Sequence, residues 1–502
     1  MRLLIWQLTR NKAPLYILAA ALMVAGNLAA ATPDNRLADA AKNRDQKTVQ
    51  LLLAHRGRLD VNAADSEGMT ALLWATHWND LETVKSLLAA GANVKVANNF
   101  DGSTPLHEAS TFGDTEMMDL LLKAGGDANA VRGEGDTPLM VAARTGIPDA
   151  VKLLLDHGAK VDAREQTFGE TPLMAAVAGN YSEAAKVLID HGADANAVST
   201  VFSVRHRPNI DATHRVDPAT GGLTALHFAA RQNAIDAARL LIAAGADVNK
   251  TEPELHFTPL LEAVVNNHYD FATLLIENGA NVKDGSLYAI MEMRTGVHID
   301  RLLPPNFDRD SLRVAQLLID RGADVNASYD GKLPDQFYYT VVAGGVTPFF
   351  KAAEAADLPA MRMLIAKGAR AIPLKDGTTP LMELAQLGSR ENLVATTPPP
   401  EDVLNETIQV CIKLGYDVNA ATVRGDTALH FAAQNGNDSF IQYLVKQGAK
   451  VDIANKNGLT PLKLAQGKRG KGDEVGINGS DVPPLESTVA LIEKIQTTTT
   501  SR

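Results

Sequence analysis

The chain has 502 residues, of which 45 % are hydrophobic, 21 % charged and only 5 % aromatic. That balance excludes wholesale disorder; the length fits about three ordinary domains at roughly 100–200 residues each, and the scarcity of aromatics points to many small packing units. The net charge of −11 argues against a general phosphate-backbone binder, and the single cysteine, Cys411, excludes a disulfide framework, a cysteine-based zinc cluster and a C-x-x-C-H haem site.

In chain order, the first feature reads as an address. Arg2, Arg10 and Lys12 precede an apolar run from Leu15 to Ala25, and Ala29-Ala30-Ala31 supplies small residues at a cleavage point. This three-part layout predicts a signal peptide over 1–31, cleaved after Ala31, and a periplasmic or secreted destination. The rival reading is an uncleaved membrane anchor. Against it, the apolar run is shorter than the roughly 20 residues a span needs, and Gly26-Asn27 interrupts it.

A repeat governs the remainder. Glycines follow apolar Leu/Ile-rich segments at Gly57, Gly91, Gly125, Gly158, Gly192, Gly245, Gly279, Gly322, Gly368, Gly415 and Gly448. The base spacing is 33–34 residues, and the longer gaps are the same unit carrying insertions. A second marker keeps step with the first: Thr70-Ala71-Leu72, Thr104-Pro105-Leu106-His107, Thr137-Pro138-Leu139, and so on to Thr460-Pro461-Leu462. Thr suits a helix N-cap, and Pro suits the first helical position because the amide it lacks has no intrahelical partner there. Gly or Asn about nine residues later predicts a left-handed helix end; Ala356 is the one other residue type in that place, and its neighbours in the series imply the same left-handed backbone. A second apolar helix then runs to the recurrent glycine, and Ala-Asp-Val-Asn leads out. Each unit is therefore helix, turn, helix, extended loop.

With these residues the chain resembles the ankyrin repeat family. The T-P-L-H-x-A-A entry and the G-A-D-V-N-A exit occur together at the family's period across nearly all of residues 35–496. The resemblance implies an all-α repeat solenoid of about twelve helix-turn-helix units with finger loops and five insertions. The array is expected over 32–498: a cap at 35–66, then repeats at 67–198, 222–327 and 346–496. Finger insertions are placed at 199–221 and 328–345, further insertions at 295–310, 389–402 and 467–484, and a tail at 499–502. The unit at Gly285-Ser286-Leu287 has lost its Thr-Pro entry, so its helix follows from spacing alone. At His107, His227 and His430 the resemblance implies an imidazole that ties the Thr cap to neighbouring backbone.

No catalytic constellation stands out. His107-Glu108 begins an H-E-x-x-H pattern, but the fifth residue is Thr111. Cys411 lies on the apolar face of a helix with Ile408 and Ile412 and reads as a buried filler. Paired acids such as Asp119 and Asp127 read as solvated turn residues. His206, His214, Asp211 and Asp217 have no specific metal-site spacing, and neither a metal nor a cofactor is expected.

Function is therefore expected on the surface, on a concave side built from first helices and loop tips. The residues singled out there are Trp74, His77, Trp78, Phe112, Arg144 and Arg231. Trp74 and Trp78 lie four apart on one helix face, and tryptophan is enriched at binding hot spots. Trp74 reads equally well as packing on the amino-terminal cap, while Trp78 with Phe112 is expected to form an exposed aromatic patch. Arg205 and Arg207 in the first finger insertion, and Tyr338 and Tyr339 in the second, add basic and aromatic content beside that side. The resulting expectation is an exported, non-enzymatic, monomeric module that binds protein partners and not nucleic acid. Membrane contact follows only if the leader is retained, and an enzyme with its site in the insertions is the remaining alternative.

Overall fold

A computed structural model describes residues 34–55, 59–201, 221–253, 256–295, 306–329, 332–333, 340–341, 345–387, 399–468 and 483–500. Among them the helices fall into twelve consecutive pairs. The chain divides into two compact units, one of residues up to Thr167 with Asp190–Gly192, the other of Phe168–Ile189 with Ala193 onward.

The amino-terminal unit holds four pairs: α1 (Arg36–Lys42) and α2 (Gln46–Ala54), α3 (Ala71–His77) and α4 (Leu81–Ala89), α5 (Pro105–Phe112) and α6 (Thr115–Lys123), α7 (Pro138–Thr145) and α8 (Pro148–Asp156). The second unit continues with α9 (Pro172–Ala178), α10 (Ser182–Asp190), α11 (Ala225–Gln232), α12 (Ile235–Ala243), α13 (Pro259–Val265) and α14 (Tyr269–Glu277). It then runs through α15 (Ser286–Met293), α16 (Phe307–Asp320), α17 (Pro348–Glu354), α18 (Leu358–Ala366), α19 (Pro380–Leu384) and α20 (Glu401–Leu414). The last four helices are α21 (Ala428–Asn435), α22 (Asp438–Lys446), α23 (Pro461–Ala465) and α24 (Glu486–Thr500). Within each unit most first helices pack on their own partner and on the first helix of the next repeat. The fold is an all-α repeat solenoid.

The helix ends follow the sequence rules. Thr70, Thr137, Thr171, Thr258, Thr347 and Thr460 each accept the amide of the residue three further on, and all but Thr70 are followed by Pro in the first turn. First helices are apolar nearly all round: in α7, Leu139, Met140, Ala142 and Ala143 are fully buried. Second helices bury one stripe, such as Ala150, Val151 and Leu154 in α8. Ala356 is left-handed at φ +52°, like the Asn and Gly residues it replaces.

Every described glycine that closes a second helix is left-handed, with φ between +81° and +119°. At Gly158 (φ +81°) an added Cβ would meet nothing within 4 Å, so a side chain there is opposed by backbone strain alone. Gly158→Val is expected to lower stability by about 1–3 kcal/mol. An unchanged urea midpoint would refute that.

Three boundaries differ from the sequence reading. The insertions placed at 295–310 and 389–402 end earlier, because α16 begins at Phe307 and α20 at Glu401. Both helices have 14 residues, since their apolar stripe starts upstream, with Phe307 and Ser311 or Leu404 and Thr407 buried. At the other end, α24 runs to Thr500 and takes in part of the predicted tail. Asp119 is not a turn residue: it lies within α6, 2.5 Å from Lys123 one turn on. The finger insertion at 328–345 adds the one strand pair among the described residues. β1 (Lys332–Leu333) and β2 (Thr340–Val341) run antiparallel, with Lys332 opposite Val341, above a bridge between Tyr329 and Val346.

Cys411 is fully buried, and burial pushes its thiol up to about 12, in keeping with a space-filling role. The signal segment, Arg205, Arg207, Tyr338 and Tyr339 lie outside the described residues.

Candidate binding face

With each signature Thr counted as position 1, positions 5 and 8 of the first helices project toward the neighbouring repeats. The structure joins them in a recurring rung, position 8 of one repeat to position 5 of the next. His77 Nδ1 lies 3.1 Å from Glu108 Oε2, Arg231 Nε donates to Glu262 Oε1 at 2.6 Å, and Lys351 Nζ lies 3.0 Å from Glu292. The rungs are partly buried, so each pair constrains its neighbours more than an exposed ion pair would. Glu262 is only 4 % exposed; its Oε1 also accepts from Asn266, and its Oε2 has no partner among the described residues.

The rung after Lys351 is mismatched. Glu354 precedes Glu383, and burial together with the Glu354 charge pushes the Glu383 carboxyl up to about 7. Burial works against the Lys351 charge, but Glu354 (3.2 Å) and Glu292 outweigh it and hold the ammonium above its ordinary range. Tyr288 completes the cluster by donating its hydroxyl to Glu292 at 2.9 Å.

The predicted aromatic residues separate. Trp74, His77 and Trp78 do form one cluster, with the two indoles stacked at 6.2 Å. The cap repeat holds it from the other side. Trp74 donates its indole N–H to Asp65 (3.0 Å) beneath the Lys42 ammonium, and Trp78 donates to the Lys42 carbonyl (3.1 Å) beneath the Arg44 guanidinium. Trp78 is therefore half-buried in the cap contact, and among the described residues Phe112 makes no ring contact with it. Phe112 itself is 47 % exposed at the end of α5. Arg144 is held in its own repeat by Asp136, at 2.7 Å.

Sequence reasoning singled out His77 and Arg231 but not their partners Glu108 and Glu262, nor the cluster of Glu292, Lys351 and Glu383. A signal did exist: His77 to Glu108 and Arg231 to Glu262 are both 31 residues apart, one repeat less three.

The histidines at signature position 4 decide the type of repeat. Thr104 N donates to His107 Nδ1 at 3.2 Å, so the ring proton sits on Nε2 and is given to the Asp136 carbonyl of the following repeat at 3.1 Å. The arrangement recurs with Thr224, His227 and the Phe257 carbonyl, and with Thr427, His430 and the Leu459 carbonyl. Burial pushes the His107 and His227 rings down to about 4 and lowers His430 too. A sequence profile described as ankyrin repeats (3 copies) matches residues 37–132, 106–199, 202–285 and 402–471. The chain belongs to the ankyrin repeat family.

Among similar proteins, the human transient receptor potential cation channel subfamily A member 1 is 28 % identical over 445 residues, covering 85 % of this chain and 34 % of the channel. Palmitoyltransferase AKR1 of Saccharomyces cerevisiae is 39 % identical over 72 residues, 14 % of this chain and 9 % of the enzyme. The mouse B-cell lymphoma 3 protein homolog is 36 % identical over 113 residues, 22 % of this chain and 25 % of that protein. This ankyrin array thus spans about a third or less of each of these relatives. Their names describe unrelated roles, so the likeness carries the repeat and not an activity. Among the described residues no three His, Cys, Asp or Glu side chains are grouped to hold a metal ion, and no helix is long and apolar enough to cross a membrane.

Proposed function

We propose that the protein is an exported, monomeric, non-enzymatic binding module that recognises a protein partner through its first-helix face, with no cofactor and no nucleic acid. Ankyrin repeats generally mediate protein–protein contact, and the observation that carries this reading for the present chain lies on that face. Caps, left-handed turns and core positions repeat, while positions 5 and 9 differ between each repeat and the next and position 8 differs at most steps, from Trp74, His77 and Trp78 to Glu108, Thr111 and Phe112. Side chains that vary on an otherwise repeated frame are where specificity can be written.

Phe112 is the residue to test, because it is exposed and its replacement leaves the cap contacts intact. Cross-linking capture from envelope extract with the Phe112→Glu chain is expected to lose a protein that the unaltered chain retains. Identical captured sets from the two chains would move recognition away from α5. Export rests on the basic, apolar and small-residue layout of Met1 to Ala31. In an exporting bacterial host the mature chain is expected to begin at Thr32; a mass that includes the leader would support the anchored form instead.

A further inference from the structure

In five of the ten exit turns whose closing glycine is described, an asparagine four residues after that glycine ties its repeat to the next. Asn249 donates to the Gly279 carbonyl at 3.1 Å and accepts from Asn281 N at 2.6 Å. Asn129, Asn196, Asn326 and Asn419 make the same two bonds. In the turn Gly279-Ala280-Asn281-Val282-Lys283 a lysine stands in that place. Lysine has no acceptor and cannot make both bonds. Among the described residues nothing joins Lys283 to Gly322 or Asp324 of the next exit turn.

At this junction a cavity of about 320 Å³ separates the two turns. Its walls are apolar, from Val282, Leu287, Ala323 and Pro348, and one side is the stacked pair Tyr288 and Tyr329, with centroids 5.1 Å apart. The stack depends on Gly285, where a Cβ would lie 2.3 Å from the Tyr329 ring. This is the repeat whose Thr-Pro entry is replaced by Gly285-Ser286, so the lost signature and the lost bridge meet at one place. Lys283 and Asp324 both line the cavity and are exposed, and neither makes an ion pair among the described residues. The Asp324 carboxylate accepts only from its own turn, Asn326 N at 2.9 Å.

We propose that this cavity binds a free α-amino acid with an aromatic or large aliphatic side chain. The side chain enters between the tyrosines and the aliphatic wall, the carboxylate meets Lys283, and the ammonium meets Asp324. One cation and one anion at the rim of an apolar hollow match a zwitterion better than a singly charged ligand, which one of them would repel. The volume is near the lower end of small-molecule sites, which run from about 300 to 1,000 Å³, and so favours a single residue over a peptide.

Isothermal titration calorimetry of the mature full-length chain with phenylalanine and with leucine tests this. Saturable binding of at least one is expected, weakened roughly tenfold for phenylalaninamide, which lacks the carboxylate, and for N-acetylphenylalanine, which lacks the ammonium. Lys283→Asn restores the bridging residue and is expected to abolish binding while leaving the urea midpoint unchanged or raised, which shows the variant is folded. Asp324→Asn keeps the turn acceptor and is expected to erase the preference for phenylalanine over its N-acetyl form. No saturable heat at millimolar ligand, or equal affinity in the unaltered and Lys283→Asn chains, overturns the proposal.

Discussion

Lowering the pH from 7 to 4 is expected to destabilise the amino-terminal unit by about 2–3 kcal/mol through His107 alone. In the folded chain the ring is buried and neutral, with Nδ1 accepting from Thr104 N and Nε2 donating to the Asp136 carbonyl. A proton on Nδ1 would break the first bond and place a charge where water cannot reach it. Burial accordingly holds the ring at about 4. An unfolded histidine titrates near 6.5, so between about pH 6.5 and pH 4 the unfolded chain binds the extra proton. Stability is full above that window and falls as the pH drops through it.

The check is the urea midpoint at pH 7, 5.5 and 4.5 for the unaltered chain and for His107→Gln. Glutamine three residues after a Thr cap can still accept the cap amide, so the variant keeps that bond and loses the titration. A steeper acid loss in the unaltered chain is expected; parallel profiles would show that His107 does not govern it. In the second unit His227 acts in the same direction, while Glu383 opposes it. With its carboxyl near 7, Glu383 binds a proton in the folded chain first, and so adds stability as the pH falls from 7 toward the unfolded glutamate range.

Arg294→Ala is expected to destabilise the second unit by about 3–5 kcal/mol. Arg294 follows α15 and its side chain is only 5 % exposed. It donates Nε to Asp357 (2.5 Å), Nη1 to Ser311 Oγ (2.6 Å) and to the Asp308 carbonyl (3.1 Å). Asp357 at the same time caps α18 by accepting Ala360 N. One guanidinium thus fastens the long helix α16 and the next repeat to α15. Truncation removes those donors and leaves the Asp357 carboxylate buried with a single amide partner. Lysine cannot replace the planar fork. In a double-mutant cycle, Arg294→Met with Asp357→Asn should cost well under the sum of the two single changes, because no uncompensated charge remains. Strict additivity would mean that the two side chains are not coupled.

The residues that specify the repeat could be read without coordinates because their task is local. A Thr cap, the Pro after it, a histidine at position 4 and a left-handed Gly or Asn act over three to nine residues of one chain segment. Even Ala356 was expected to be left-handed, from its place in the series, and it is. The first-helix face was legible only as a set of positions. That Trp78 belongs to the cap contact depends on the Lys42 carbonyl, 36 residues earlier, and on Arg44, so the expected patch with Phe112 does not form.

By itself, then, the sequence determined the repeat type, the number of helix pairs and the ends of most helices, since backbone preference and capping are settled within a turn or two. Only the tertiary structure decided which charges meet. The rungs, the Glu354–Glu383 mismatch, the Arg294 fastening across 63 residues and the opening beside Lys283 all join groups in different repeats. Insertions of unequal length shift those groups in sequence but not in space. Their pairing is fixed by stacking, which brings position 8 of one helix beside position 5 of the next however long the loop between them.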